Sequence, residues 1–257
     1  MTSIDGRGIA DRLLASLALR PVPSGSFAAV LVEGDAASHS FVSRKRAACD
    51  RLKIPFRLHE FPADASPADI EACIRELCAD ASVRAIVLQL PLPPGFDRDL
   101  LVAAIDVRKD VDDLTGCASV ESPAVGCAKE ILASEGMRIQ DFKNITVVGA
   151  GFLVGRPIAS WIARLGIPLS IVDIDTPNPD SFMRDADLVI SGVGKTGVVR
   201  PGSLKRGACF IDFGFPPDAD QAELASAADR LRFHTPTPGG TGPVLIAKLF
   251  ENFFALS

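Results

Sequence analysis

The sequence predicts an α/β fold of two lobes, each organised around parallel strands with crossover helices. Short apolar runs alternate with helical patterns, this happens in two separate series, and no repeat, low-complexity tail or long linker interrupts them. In the first series "FAAVLVE" (27–33) reads as a buried strand. "SHSFVSRKRAACDRL" (38–52) follows as a helix, with Phe41, Ala48, Cys49 and Leu52 apolar at helical spacing. "IPFRLHEF" (54–61) alternates as a half-buried strand does. The next helix, 67–80, opens at Ser66-Pro67 with Asp69 and Glu71 in its first turn. "VRAIVLQL" (83–90) is a third strand, stopped by the prolines of "PLPPG". A connecting segment (117–136) carries a helix at 124–134. The second series then starts in "NITVVGAGFLVGRPIASWIARLG" and continues with strands in 169–175, 186–194 and 208–215. A Pro/Gly-rich loop, "HTPTPGGTGP", leads into an amphipathic terminal helix.

Composition narrows the partners. The 257 residues include 47% hydrophobic and 23% charged residues, the balance of a water-exposed globular protein with room for a core. A net charge of −5 and pI near 5.3 argue against nucleic-acid or membrane-surface binding. Asp5 and Asp11 break up the N-terminus, which does not read as a signal peptide, and no apolar run reaches membrane-spanning length. The six cysteines form no C-x-x-C pair and the three histidines are scattered. Free thiols in a reducing cytoplasm, with no metal, are therefore expected.

"ITVVGAGFLVGRP" places Gly149, Gly151 and Gly155 between a strand and a helix. Such a turn brings backbone and helix N-terminal amides close to a dinucleotide pyrophosphate. The next strand ends at Asp173, eighteen residues beyond Gly155. A carboxylate there accepts from ribose hydroxyls and repels a 2′-phosphate, favouring NAD over NADP. The competing reading is a structural glycine turn with Asp173 as a surface cap. "GVGKTG" (192–197) follows another strand and repeats the choice between cofactor approach and plain turn.

These pieces together with "FVSRK" (41–45), "VLQLPLP" (87–93), "KDVD" (109–112), "VGKTG" (193–197) and "TPTPGGTGP" (235–243) resemble, in order and spacing, the bifunctional methylenetetrahydrofolate dehydrogenase/methenyltetrahydrofolate cyclohydrolase family almost end to end. The resemblance implies a folate-binding catalytic lobe at 1–117, a Rossmann-like NAD(P)-binding lobe at 118–239, and a C-terminal helix, 240–257, returning to the first lobe. It implies a cytoplasmic homodimer joined through the nucleotide-binding lobes. Lys45 would face the one-carbon unit with Gln89 holding it, and Asp112 would accept from the pterin amino–amidine edge. Phe41, Leu90, Pro91, Pro238, Gly239 and Gly242 would contact the folate. Gly149, Gly151, Gly155, Arg156, Pro157, Asp173, Gly194 and Thr241 would line the cofactor. The implied activity is NAD(P)-dependent oxidation of 5,10-methylenetetrahydrofolate to the methenyl form, with weakened hydrolysis to 10-formyltetrahydrofolate.

The weakening is expected because the family's tyrosine is Phe41 here, in a chain without any tyrosine. Asp113 replaces a family glycine, "ESPAVG" (121–126) loses a threonine, and the loop after "IDFGF" is short and lacks the usual glycine-aspartate-valine element. These departures leave two other readings open. One is a nicotinamide-dependent oxidoreductase acting on a different one-carbon or small-molecule substrate. The other is a non-catalytic folate- or nucleotide-binding homologue.

Overall fold

The computed structural model describes residues 2–33 and 36–256. In chain order the elements are β1 (Thr2–Ser3), α1 (Gly6–Ala18), β2 (Ser26–Val32), α2 (Ala36–Leu52), β3 (Phe56–Phe61), α3 (Pro67–Ala79), β4 (Val83–Leu88), α4 (Arg98–Ala103) and α5 (Pro123–Ser134). They continue with β5 (Ile145–Val148), α6 (Gly155–Arg164), β6 (Leu169–Val172), α7 (Pro179–Arg184), β7 (Leu188–Ser191), β8 (Cys209–Asp212), α8 (Gln221–Ser226), β9 (Phe233–His234) and α9 (Thr241–Ala255). The chain divides into two compact units. A lysine-bearing unit comprises Asp11–Pro123 and the chain from Ile246 onward. A glycine-turn unit comprises the chain up to Ala10 and Ala124–Leu245.

In the lysine-bearing unit a three-stranded parallel sheet has the order β3-β2-β4. Every residue of the central strand β2 is buried, which is why "SFAAVLV" carries no alternation. Phe27 on β2 stacks on Phe250 of α9, ring centroids 5.3 Å apart, and lies 6.2 Å from Phe253. The terminal helix therefore returns to this sheet as expected. Arg84 on β4 fastens it, donating from Nε to the Phe253 carbonyl at 2.9 Å. Helix α3 starts where Ser66 predicts, its hydroxyl accepting from the Ala68 amide at 3.3 Å ahead of Pro67.

The glycine-turn unit holds a six-stranded parallel sheet, β1-β9-β8-β7-β5-β6. Strands β5, β7 and β8 are buried along their whole length, and β6 forms an edge with Ile171 exposed. The strand order reverses between β5 and β7, so Gly149 and Gly192 follow neighbouring strands. Ligands in open α/β sheets bind at such a reversal.

Several edges differ from the expected spans. β1 pairs in parallel with β9, Thr2 opposite Phe233, which draws the N-terminus into the glycine-turn unit. Residues 118–123 group with the lysine-bearing unit, where Asn252 holds the Glu121 carbonyl. Helix α9 begins at Thr241, its residues as far as Leu245 group with the glycine-turn unit and not with the lysine-bearing one as expected, and the last residue of the expected 240–257 helix lies outside the described residues. The expected strand over 169–175 ends at Val172 because Asp173 starts a turn, its carbonyl accepting from the Thr176 amide at 3.2 Å.

Candidate active site

Helix α2 delivers Lys45 into the interior of its unit. Its side chain is buried, and Nζ donates to Gln89 Oε1 at 2.7 Å. Gln89 follows directly on β4; its backbone amide donates to the Val30 carbonyl and its Nε2 to the Leu90 carbonyl at 2.7 Å. That second bond leaves only Oε1 to face the lysine, so the amide is oriented as well as placed. The Leu90–Pro91 peptide is cis, turning the chain away immediately after Gln89.

Asp112 completes the group. It is partly buried, and its charge acts on Lys45. Burial holds the Lys45 pKa below its ordinary value, with the Asp112 carboxylate pulling the other way. Burial pushes Asp112 up to about 6; Lys45 opposes this, and Asp110 and Asp113 add to it. Phe41 lies one turn before Lys45 on α2, half-buried, with the Arg44 guanidinium 5.5 Å from its ring centroid.

Residues that sequence reasoning passed over hold the Asp112 loop. Asp110 is fully buried and accepts from the Leu114 amide (3.1 Å), the Thr115 amide (2.8 Å) and the Thr115 hydroxyl (2.8 Å). Asn252 on α9 donates to the carbonyls of Val111 and Glu121 at 2.9 and 2.8 Å. Asp113, in the place of a family glycine, takes the left-handed conformation (φ 53°), and its Oδ1 accepts from the Ala118 amide at 3.2 Å. Aspartate is among the few side chains that tolerate this conformation, so it can stand where the family has glycine.

In the glycine-turn unit Gly149 adopts φ 89°, and a Cβ there would lie 2.8 Å from Val193 Cγ2. A Cβ on Gly155 would lie 1.8 Å from the Gly149 carbonyl oxygen, so the start of α6 rests on the turn itself. Only glycine fits. Gly151 meets nothing closer than 3.6 Å, and its carbonyl accepts from the Arg156 amide at 3.0 Å. Arg156 is exposed, and Pro157 occupies the first turn of α6, where a missing N–H costs nothing. This close-packed turn ahead of a helix N-terminus is the cradle an NAD(P) pyrophosphate requires, and the residues present fit it.

Asp173 is exposed beyond β6. Its Oδ1 accepts from the Asp175 amide (3.1 Å) and the Thr176 hydroxyl (2.9 Å), so it caps its own turn whatever else it does. Thr241 is buried, its hydroxyl donating to the Asp212 carbonyl at 2.9 Å. Pro238 follows a cis peptide, Gly239 has φ 107°, and Gly242 lies in the first turn of α9. Gly194 has φ 74°, with the Phe215 carbonyl oxygen 3.2 Å from where a Cβ would stand.

Two buried carboxylates in this unit were also missed. Asp212, at the end of β8, accepts from the amides of Gly214 (2.7 Å), Asp218 (2.9 Å) and Ala219 (3.2 Å). Asp218, completely buried, accepts from the amides of Val193, Gly194 and Lys195. The polar ending of "CFID" after an apolar run marked Asp212; among the acids of "PPDAD" nothing local distinguished Asp218.

Comparison with known families matches residues 4–112 to the tetrahydrofolate dehydrogenase/cyclohydrolase catalytic domain and 122–257 to the NAD(P)-binding domain of the same family. The chain belongs to this family. A bifunctional FolD protein of Acidithiobacillus ferrooxidans is 33% identical over 270 residues, spanning 97% of this chain and 93% of the relative. Another from Methanoculleus marisnigri is 33% identical over 268 residues, spanning 98% and 94%. Among solved structures, the Trypanosoma brucei dehydrogenase-cyclohydrolase, crystallised with NADP and an inhibitor, superposes with a TM-score of 0.90 at 26% identity, covering 99% of this chain and 96% of that one. The family membership makes this chain an enzyme of folate one-carbon metabolism with an NAD(P)-binding domain.

Proposed function

We propose that this family member oxidises 5,10-methylenetetrahydrofolate to the methenyl form with NAD in preference to NADP, and hydrolyses the product to 10-formyltetrahydrofolate through Lys45. The buried Lys45–Gln89 hydrogen bond beside Asp112 carries the reading. A solvated surface lysine needs no oriented amide and no partial neutralisation. A lysine with a lowered pKa can take a proton from the attacking water. Gln89 fixes where that amine sits, and Asp112 is placed to accept from the pterin edge. Phe41 offers a face for stacking but no hydroxyl to share the proton, which is the basis for expecting slower hydrolysis than oxidation.

Bound NAD(P) supplies the hydride acceptor. The chain's part in that half-reaction is to hold it: the Gly149–Gly155 turn and α6 N-terminus for the pyrophosphate, Gly194 and Thr241 nearby along the same sheet end, and Asp173 for the ribose. The carboxylate of Asp173 supports the NAD preference, since it repels a 2′-phosphate. The T. brucei relative was crystallised with NADP. A homodimer joined through the glycine-turn unit is supported by the exposed β6 edge with Ile171. Among the described residues no helix is long and apolar enough to cross a membrane.

The test is to supply purified protein with 5,10-methylenetetrahydrofolate and either NAD or NADP, following nucleotide reduction, methenyl and formyl products together. Faster reduction of NAD with methenyl accumulating ahead of formyl product is expected. No reduction of either nucleotide would discard the dehydrogenase reading.

A further inference from the structure

We infer that Asp218 is a positioning residue for cofactor binding: it sets the Val193–Lys195 loop against the Gly149 turn. The inference rests on the reading that the glycine-turn unit binds NAD(P). Its ground is the hydrogen bonding that converges on one buried residue. Asp218 Oδ2 accepts from the Val193 amide at 2.9 Å, and Oδ1 accepts from the amides of Gly194 (2.7 Å) and Lys195 (2.9 Å). The backbone carbonyl of Asp218 accepts from the amides of Gly197 (2.9 Å) and Val199 (3.2 Å). Five amides between Val193 and Val199 thus end on Asp218.

The residue is itself held. Asp212 Oδ2 accepts from the Asp218 amide, so the end of β8 fixes Asp218 and Asp218 fixes the loop after β7. Gly214 makes room for this: a Cβ there would stand 2.6 Å from Asp218 Cγ. Consecutive amides turned toward one carboxylate need a tight backbone turn, which Gly194 supplies at φ 74°.

The loop matters because it touches the nucleotide turn. Val193 Cγ2 stands 2.8 Å from where a Gly149 Cβ would be, and Val154, just ahead of α6, fills the space beside Gly192. Moving Val193 away would loosen the one-sided wall that keeps Gly149 and the first turn of α6 in register. Asp218 therefore acts on the cofactor through Val193 and Gly194, without contacting it.

The experiment measures NAD affinity directly by calorimetric titration of the intact protein, alongside steady-state kinetics. Losing charge-accepting bonds to several buried amides is worth roughly a tenfold or greater effect. D218A should weaken NAD binding about tenfold or more and raise its KM in parallel, with kcat at saturating NAD within about threefold of wild type. D218N keeps one acceptor oxygen and sets its amide NH2, a donor, against the backbone N–H on the other side, so it should fall between the two, at about three- to tenfold. If D218A does not fold, D218N decides alone. D220A, removing the nearby cap of α8, should leave NAD affinity unchanged. Wild-type affinity in D218N, or a loss of kcat with KM unmoved, overturns the inference. The titration needs no folate, so wild-type NAD binding without folate turnover would fail the folate reading and leave this one standing.

Discussion

The two units solve recognition in opposite ways. In the lysine-bearing unit the groups proposed to act are side chains, two of them with pKa values shifted by burial: Lys45 lowered and Asp112 raised to about 6, with Gln89 oriented between β4 and the Leu90 carbonyl. In the glycine-turn unit the proposed cofactor surface is backbone, close-packed through the absence of Cβ atoms at Gly149, Gly155 and Gly194, with the loop after β7 held by Asp218 and Asp218 by Asp212. A site of perturbed charges answers to pH and to isosteric loss of a charge. A site of bare backbone answers to added volume. The contrast also explains which departures from the family pattern are tolerated: Asp113 replaces a glycine in the first unit because its own carboxylate caps the loop, whereas nothing could replace Gly155.

The largest effect expected is in the charged site. K45M removes the base, and hydrolysis of methenyltetrahydrofolate should drop about a hundredfold or more, while NAD affinity by titration stays within about twofold. The same activity in wild type should rise with pH along a limb set by Lys45, because only the neutral amine accepts a proton, and that limb should vanish in K45M. Next comes the volume test. G155A forces a methyl into the Gly149 carbonyl, and NAD binding should weaken by about a hundredfold, with methenyl hydrolysis reduced far less, since strain from overpacking is on the order of 1–3 kcal/mol or more. An unaffected G155A would erase the contrast between the sites.

A smaller effect is expected at Asp173. D173S should shift the NAD-to-NADP ratio of kcat/KM by about tenfold toward NADP, as removal of one like charge from a phosphate site should. An unchanged ratio leaves Asp173 as a turn cap. Smallest is a stability effect from Asp112. Its folded pKa of about 6 lies above the ordinary 3.8, so the native state binds the proton better, and stability falls as pH rises across that window. D112N should therefore gain on wild type between about pH 4 and 6, by about 1 kcal/mol given its partial exposure and its pairing with Lys45. Denaturant melts of both proteins across that range would show it.

The fold was legible because its elements have local signatures: buried strands without alternation, Ser66-Pro67 opening a helix, a glycine turn between strand and helix; Lys45, Gln89 and Asp112 were legible only through the family resemblance. Lys45, Gln89 and Asp112 were named from their motifs, and the structure brings Lys45 to Gln89 and within electrostatic reach of Asp112. What stayed hidden depends on pairings distant in sequence. Asn252 reaches Val111 across 141 positions, and Asp218 is distinguished from its acidic neighbours only by the loop it faces 23 to 25 positions earlier. The two-residue strands β1 and β9 carry no readable pattern alone; β1 exists through its pairing with β9, and β9 through its pairing with β1 and β8. Helices α4, α7 and α8 have six residues each, too short for a periodicity to show.

The stacking of Phe250 on Phe27 has a consequence for how the molecule is made. Strand β2 is among the first elements to leave the ribosome, yet the aromatic face it needs lies on α9, and Arg84 waits for the carbonyl of Phe253. Synthesis runs from the N-terminus at a few residues per second. For most of translation the lysine-bearing sheet is thus an open half-core. The glycine-turn unit, assembled from an uninterrupted stretch apart from its N-terminal segment, has its main strands synthesised before α9 is complete. Vectorial folding is therefore expected to complete the cofactor side first and to leave the residues around Lys45 unsealed until the last turns of α9 emerge.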